Sequence, residues 1–309
     1  MKILFMGTPD FARASLEALV KSGEDVCAVV TQPDKPVGRK RIITPSPVKV
    51  FALENNINVY QPEKLRDGEF EKFLNEIAPE LIVVVAYGRI LPKFILDFPK
   101  YGCVNVHGSL LPKYRGAAPI QRSMLAGDDV TGVTTMYMDE GMDTGDMILQ
   151  EKLEISDTEN LEELYARLAD LGAGLLLKTL EQIKAGTVKR TVQDGSLATV
   201  APKLSREDEK LDFSLPTKLV MRKINCMLPS PGANAVMGGK TIKIFKAEPC
   251  GESVLGKCGE ILSFDKKSIT VKTSDGAIKL LEIMEEGGKR MPVSAYLCGK
   301  KPVLGEVIS

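Results

Sequence analysis

The chain has 309 residues, 44% hydrophobic and 27% charged, with 41 Lys+Arg against 41 Asp+Glu. That is an ordinary globular composition, long enough for about two domains with separate cores. No apolar run reaches the roughly 20 residues of a membrane helix, and the N-terminus lacks a signal or transit pattern, so the cytoplasm is the expected compartment.

In chain order, Ile3–Met6 reads as a first core strand and Pro9–Lys21 as a helix, with Pro near its start and Gly23 beyond its end. Val26–Thr31 is a second strand. A long proline-rich loop follows, whose basic residues Lys35, Arg39, Lys40 and Arg41 suit the gripping of phosphates. Val48–Leu53 and Phe70–Ile77 are predicted helices around a short strand at Val59. Leu81–Ala86 is continuously apolar, the mark of a strand buried on both faces. Strands at Val104–His107, Thr134–Met138 and Met147–Leu153, and helices at Ile120–Leu125 and Leu161–Ile183, complete the alternation. Residues 1–190 are therefore expected to form an α/β domain with a doubly wound, mostly parallel, Rossmann-like sheet.

Periodicity fades after Thr191, and residues 191–205 suit a linker. Beyond it, Ser214–Met227 reads as a helix. Short strands follow at Ala235–Met237, Thr241–Ala247, Glu260–Phe264, Ile269–Thr273 and Ile278–Ile283, with tight turns between them. Residues 206–309 are thus expected to be a small OB-like β-barrel domain. Residues 203–309 carry 18 Lys+Arg against 13 Asp+Glu, compatible with an anionic partner.

The first strand–helix turn, Gly7-Thr8-Pro9-Asp10-Phe11-Ala12, lacks the second and third glycines of a dinucleotide fingerprint, which argues against a nicotinamide enzyme. Neither a phosphate-binding P-loop nor a Gly-x-Ser-x-Gly elbow is present. Six scattered cysteines form no Cys-x-x-Cys pair, so no metal site is expected. The one histidine, His107, closes the run Cys103-Val104-Asn105-Val106-His107-Gly108. Period-two geometry puts Asn105 and His107 on one strand face, at the carboxyl end where doubly wound sheets bind ligands. A lone functional histidine needs a carboxylate to orient and charge-stabilise it, and Asp143 in the acidic loop after the next strand is the candidate.

The run from Asn105 to Gln121, NVHGSLLPKYRGAAPIQ, resembles the motif of the folate-dependent formyltransferases. Met6–Phe11, Thr31–Asp34, Pro45–Lys49, Val84–Gly88, Asp143–Met147, Lys203–Glu207 and Pro229–Gly232 resemble the same family, and the likeness spans the chain. The Ala117-Ala118-Pro119-Ile120-Gln121 extension is similar to the branch whose acceptor is methionyl-tRNA.

The resemblance implies formyl transfer from 10-formyltetrahydrofolate to the methionine amino group of initiator methionyl-tRNA, the step that prepares translation initiation. An amino-sugar nucleotide is the alternative acceptor. Carried over by position, Asn105, His107 and Asp143 are the catalytic trio. Ser109, Leu110, Leu111, Pro112, Tyr87, Gly88, Arg89 and Ile90 line the folate cleft. Lys35, Arg39, Lys40 and Arg41 enter the tRNA acceptor arm, and the C-terminal barrel contacts the tRNA backbone. A monomer without a metal or membrane contact is expected. One departure is Leu228-Pro229-Ser230-Pro231, where some relatives carry tryptophan.

Overall fold

The computed structural model describes residues 1–38, 40–252 and 255–309. They divide into two compact units: residues 1–119, 130–154 and 165–202, and residues 120–129, 155–164 and 203–309.

The chain begins with β1 (Lys2–Gly7), α1 (Asp10–Lys21), β2 (Asp25–Val30), β3 (Lys35–Val37), β4 (Ile42–Thr44), α2 (Pro47–Glu54) and β5 (Val59–Tyr60). Then come α3 (Glu69–Ile77), β6 (Leu81–Val85), α4 (Lys93–Leu96), β7 (Cys103–His107), α5 (Pro119–Ala126), β8 (Val130–Tyr137), β9 (Met147–Glu154) and α6 (Leu161–Ala185). The main sheet of the first unit has the order β5-β2-β1-β6-β7-β8-β9. The strands from β5 to β7 are parallel; β8 runs against them, and β9, antiparallel to β8, returns to their direction. All five residues of β6 are buried, which is why it reads as an unbroken apolar run. Strand order reverses at β1, with β2 on one side and β6 on the other, and this opens a crevice at the carboxyl ends.

Gly7 ends β1 for a packing reason. A Cβ there would lie 2.7 Å from Ala12 Cβ and 2.9 Å from Val85 O, so its single glycine allows α1 to pack closely on the sheet.

Two expectations about the strands of the first unit need correction. The long basic loop after β2 contains a two-stranded ribbon, with Lys35 opposite Thr44 and Val37 opposite Ile42. The strand predicted from Thr134 begins at Val130, because Val130 and Thr131 pair with Glu154 and Leu153.

In the second unit, α7 (Thr217–Cys226) precedes β10 (Ala233–Met237), β11 (Lys240–Glu252), β12 (Ile261–Phe264), β13 (Ile269–Lys272), β14 (Gly276–Glu285), β15 (Met291–Pro292) and α8 (Val293–Gly299). The helix expected from Ser214 starts later because Pro216 takes an extended conformation at its N-cap. The strands form an antiparallel sheet, β10-β11-β14-β13-β12, with β15 on β14. The final residues link its two edges. Ile261 N–H donates to Glu306 O at 2.8 Å, and Val236 N–H donates to Ser309 O at 2.6 Å. A hydrogen-bonded ring results. Buried Arg222 donates to Ile155 O and Ser156 O, joining residues 155–157 to α7. No helix among the described residues is long and apolar enough to cross a membrane.

Candidate active site

His107 is the last residue of β7, opposite Thr134 of β8. It is 6% exposed, and Asn105, two residues earlier on the same face, is half-buried. His107 Nε2 lies 2.9 Å from Tyr114 O. A carbonyl can only accept, so Nε2 carries a proton and donates to it. Nδ1 lies 3.7 Å from Asp143 Oδ2. That oxygen accepts the Gly116 N–H at 2.7 Å. Gly116 is required here: its φ is +124°, and a Cβ would meet Ala201 O at 2.8 Å. The Asn105 amide makes no hydrogen bond among the described residues, so its donors are free for a ligand.

The fold thus brings His107 and Asp143 together and leaves Asn105 beside them on the strand face. His107 sits with one nitrogen anchored and the other turned to a carboxylate.

The segment after His107 is fixed by residues that the sequence did not single out. Buried Thr134 Oγ1 donates to Ser109 O at 2.7 Å and accepts from Leu111 N–H at 3.1 Å. Gln150 Nε2 donates to Leu111 O at 2.8 Å and to Thr134 Oγ1 at 2.9 Å. The Ser109 and Leu111 side chains are buried, and Ser109 Oγ donates to Lys113 O at 2.7 Å. Leu110 and Pro112 are half-buried.

The Tyr87 side chain packs in a core with Leu91, Ile95 and Cys103, and its hydroxyl has no partner among the described residues. Burial raises the Tyr87 pKa above its ordinary value. Gly88 is exposed and Ile90 is 83% exposed, whereas Arg89 is tied to Gln32 Oε1, Pro62 O and Glu63 O. Ile90 and Gly88 are therefore the parts of this turn left open to solvent. Tyr87, Ser109 and Leu111 hold the turns from within.

On the ribbon, Lys35, Lys40 and Arg41 are exposed, and Ile42 and Ile43 are each 62% exposed. Arg39 lies outside the described residues. The base of the ribbon is stapled. Lys49 Nζ pairs with Asp34 Oδ2 at 2.6 Å and donates to Gln61 Oε1 at 2.7 Å. Gln61 Nε2 donates to Asp34 Oδ1 and Gln32 O, and Thr31 Oγ1 lies 2.8 Å from Ser46 Oγ. Hydrogen bonds from Lys49 and Gln61 hold the Asp34 carboxyl below its ordinary pKa.

Thr191–Ala201, read from sequence as the start of a linker, bonds to both loops of the site. Thr191 and Met147 exchange backbone hydrogen bonds, and Arg115 N–H donates to Thr199 O at 2.8 Å. Gln193 reaches Asp143 O and Gly145 O. A single Gln in an aperiodic stretch carries no sequence signal for that role.

The formyl transferase family model matches residues 1–180, and the model of the formyl transferase C-terminal domain matches residues 203–301. The methionyl-tRNA formyltransferase of Moorella thermoacetica is 46% identical over 308 residues, covering 100% of this chain and 99% of that protein. That of Desulfotalea psychrophila is 47% identical over 301 residues, covering 97% and 93%. Two solved structures share the fold. The N-formyltransferase of Helicobacter canadensis, crystallised with folinic acid and dTDP-3-aminofucose, has a TM-score of 0.68 at 20% identity, covering 91% of this chain and 98% of its own. The methionyl-tRNA formyltransferase of Clostridium thermocellum has a TM-score of 0.54 at 17% identity, covering 80% and 93%. With two family domains matched in order and relatives near half-identical end to end, the chain belongs to the formyl transferase family.

Proposed function

We propose that this chain transfers the formyl group of 10-formyltetrahydrofolate to the α-amino group of methionine on initiator methionyl-tRNA. The observation that carries this reading is the strand-end trio of Asn105, His107 and Asp143, set in a chain that matches methionyl-tRNA formyltransferases along its length. When bound, the folate supplies an activated formyl group on a nitrogen that leaves readily. Exposed Ile90 suits the faces of its rings, the Gly88 backbone suits the hydrogen-bonding edge of its pterin, and the free Asn105 amide suits its formyl oxygen.

As the amine adds, negative charge gathers on that oxygen. The Asn105 amide and the protonated Nδ1 side of His107 stabilise it. Loss of one such donor typically costs about 100- to 1,000-fold in rate. Tyr114 O keeps the imidazole oriented through Nε2. Asp143 stabilises the imidazolium and, through a water, takes the proton that the amine loses, and that proton passes to the folate nitrogen as its bond to the formyl carbon breaks. The exposed lysines and Arg41 of the ribbon, and the stretch 203–309 with its excess of Lys and Arg, engage the tRNA phosphates.

The test supplies purified protein and 10-formyltetrahydrofolate with initiator methionyl-tRNA, elongator methionyl-tRNA or a dTDP-linked amino sugar. Formylation of the initiator well above the other two is expected. Formylation of the amino sugar alone, or of nothing, would overturn the reading.

A further inference from the structure

Behind His107 and Asp143 runs a ring of hydrogen bonds through two side chains that take no part in the chemistry above. Gln193 is 8% exposed, and both ends of its amide are engaged. Nε2 donates to Asp143 O at 2.8 Å and to Gly145 O at 2.7 Å. Oε1 accepts from Arg115 Nε at 3.0 Å and from its Nη2 at 2.9 Å. Two carbonyls on one side and a guanidinium on the other fix which end of the amide points where.

Arg115 sits between the two residues that hold the site. Tyr114 O accepts the His107 Nε2 proton, and Gly116 N–H donates to the Asp143 carboxylate. The circuit therefore runs from that carboxylate through Gly116, Arg115 and Gln193 back to the Asp143 backbone. Asp143 itself has φ +54°, a left-handed conformation that non-glycine residues adopt only when their surroundings hold them there. The two Gln193 bonds, to the carbonyls on either side of Thr144, span that turn.

We propose that Gln193, braced by Arg115, is a positioning residue: it holds the Asp143 carboxylate against His107 Nδ1 and so sets turnover without touching either substrate. The proposal rests on the reading of His107 and Asp143 as catalytic. Its physical ground is that a short misplacement of a reacting group costs far more in rate than in stability.

Two variants separate polarity from packing. Gln193→Glu keeps the shape and an acceptor for Arg115, but turns carboxylate lone pairs toward two carbonyls. Gln193→Met fills similar volume and removes all four hydrogen bonds. Each is measured as the full-length protein in three ways: steady-state formylation of charged initiator tRNA, thermal unfolding, and ¹⁵N NMR of the imidazole. The chain has one histidine, so the Nδ1 and Nε2 signals need no assignment between residues.

Both variants should unfold cooperatively, lose about 10- to 100-fold in kcat, and keep both KM values within about twofold. The Nδ1 signal should move further than that of Nε2. Combining Gln193→Met with Arg115→Lys should cost no more than the worse single change, because both break one circuit. Should Gln193→Met fail to fold, Gln193→Glu alone decides between the outcomes. A folded variant with wild-type kcat overturns the proposal, as does one with lowered kcat and unmoved His107 signals. Asp143→Asn separates the two levels. Full turnover there defeats the catalytic reading itself. A dead Asp143→Asn beside a fully active Gln193→Glu defeats only the positioning role.

Discussion

The loop that follows β7 and the ribbon that follows β2 leave carboxyl ends of the same sheet, yet they are fastened very differently. Tyr114, Arg115 and Gly116 bond to His107, Gln193, Asp143 and the 199–201 backbone within a few residues of each other. The β3–β4 ribbon is stapled at its base by Asp34, Lys49 and Gln61, and carries exposed Lys40, Arg41, Ile42 and Ile43 beyond it. Bond-making needs groups held to a fraction of an ångström, whereas a polyanion is attracted over a Debye length of about 8–10 Å. On the proposed function, the first region serves the short distance and the second the long one.

The sharpest way to break this comparison is Gly116→Ala. The added Cβ would meet Ala201 O at 2.8 Å in a backbone conformation that favours glycine, and would displace the N–H that holds Asp143. About 100-fold or greater loss of kcat is expected, with the KM for tRNA little changed. Near-normal turnover would show that the first region tolerates movement after all. Next comes Asp34→Ala, which removes the carboxylate from the ribbon's staple. Here the KM for charged tRNA should rise about tenfold while the folate KM holds, because the ribbon must then be ordered on binding. A matching loss in folate affinity would show that the ribbon is not specific to the tRNA.

The sequence made the two regions unequally legible. Asn105, His107 and Asp143 stand out because few side chains can do proton and oxyanion chemistry, and strand alternation aligned the first two. The buried Leu81–Val85 run announced a parallel sheet by its lack of polar alternation. The ribbon escaped notice because its strands are three residues long and one contains Pro36. Gln193 escaped because its partners lie 48 to 78 residues away, and two of them are backbone carbonyls, which no residue type announces. The ring-closing segment at the C-terminus is too short to show a period. Side-chain chemistry is written in the sequence, but long-range contact with the backbone is not.

Smaller effects sharpen the same contrast. Lys40→Ala and Arg41→Ala should each weaken productive tRNA use several-fold at low salt. Each should reduce the slope of log affinity against log salt by about one, the mark of one lost phosphate contact. kcat at saturating tRNA should stand. A fall in kcat with an unchanged salt slope would mean that the ribbon takes part in chemistry.

The smallest functional effect should come from a break in the second unit that is chosen to touch neither region. Arg122 Nη1 pairs with Asp208 Oδ1 at 2.6 Å, and its Nη2 lies 3.1 Å from Oδ2. The guanidinium, with the Ser205 donors, lowers the Asp208 pKa from 3.8 to about 2. A carboxylate whose pKa falls on folding stabilises the native state fully above its unfolded value. That contribution fades as pH drops through the folded value. At pH 7 the pair should therefore contribute about 2 kcal/mol, and Asp208→Asn should lower stability by about that much. Between about pH 4 and pH 2 the gap between wild type and variant should close, as urea unfolding at stepped pH would reveal. Both KM values and the salt slope should match wild type while the protein stays folded. If this variant altered turnover as strongly as Gly116→Ala, the loss of activity there would report general loosening of the fold, and the claim of a specially fixed loop after β7 would fail.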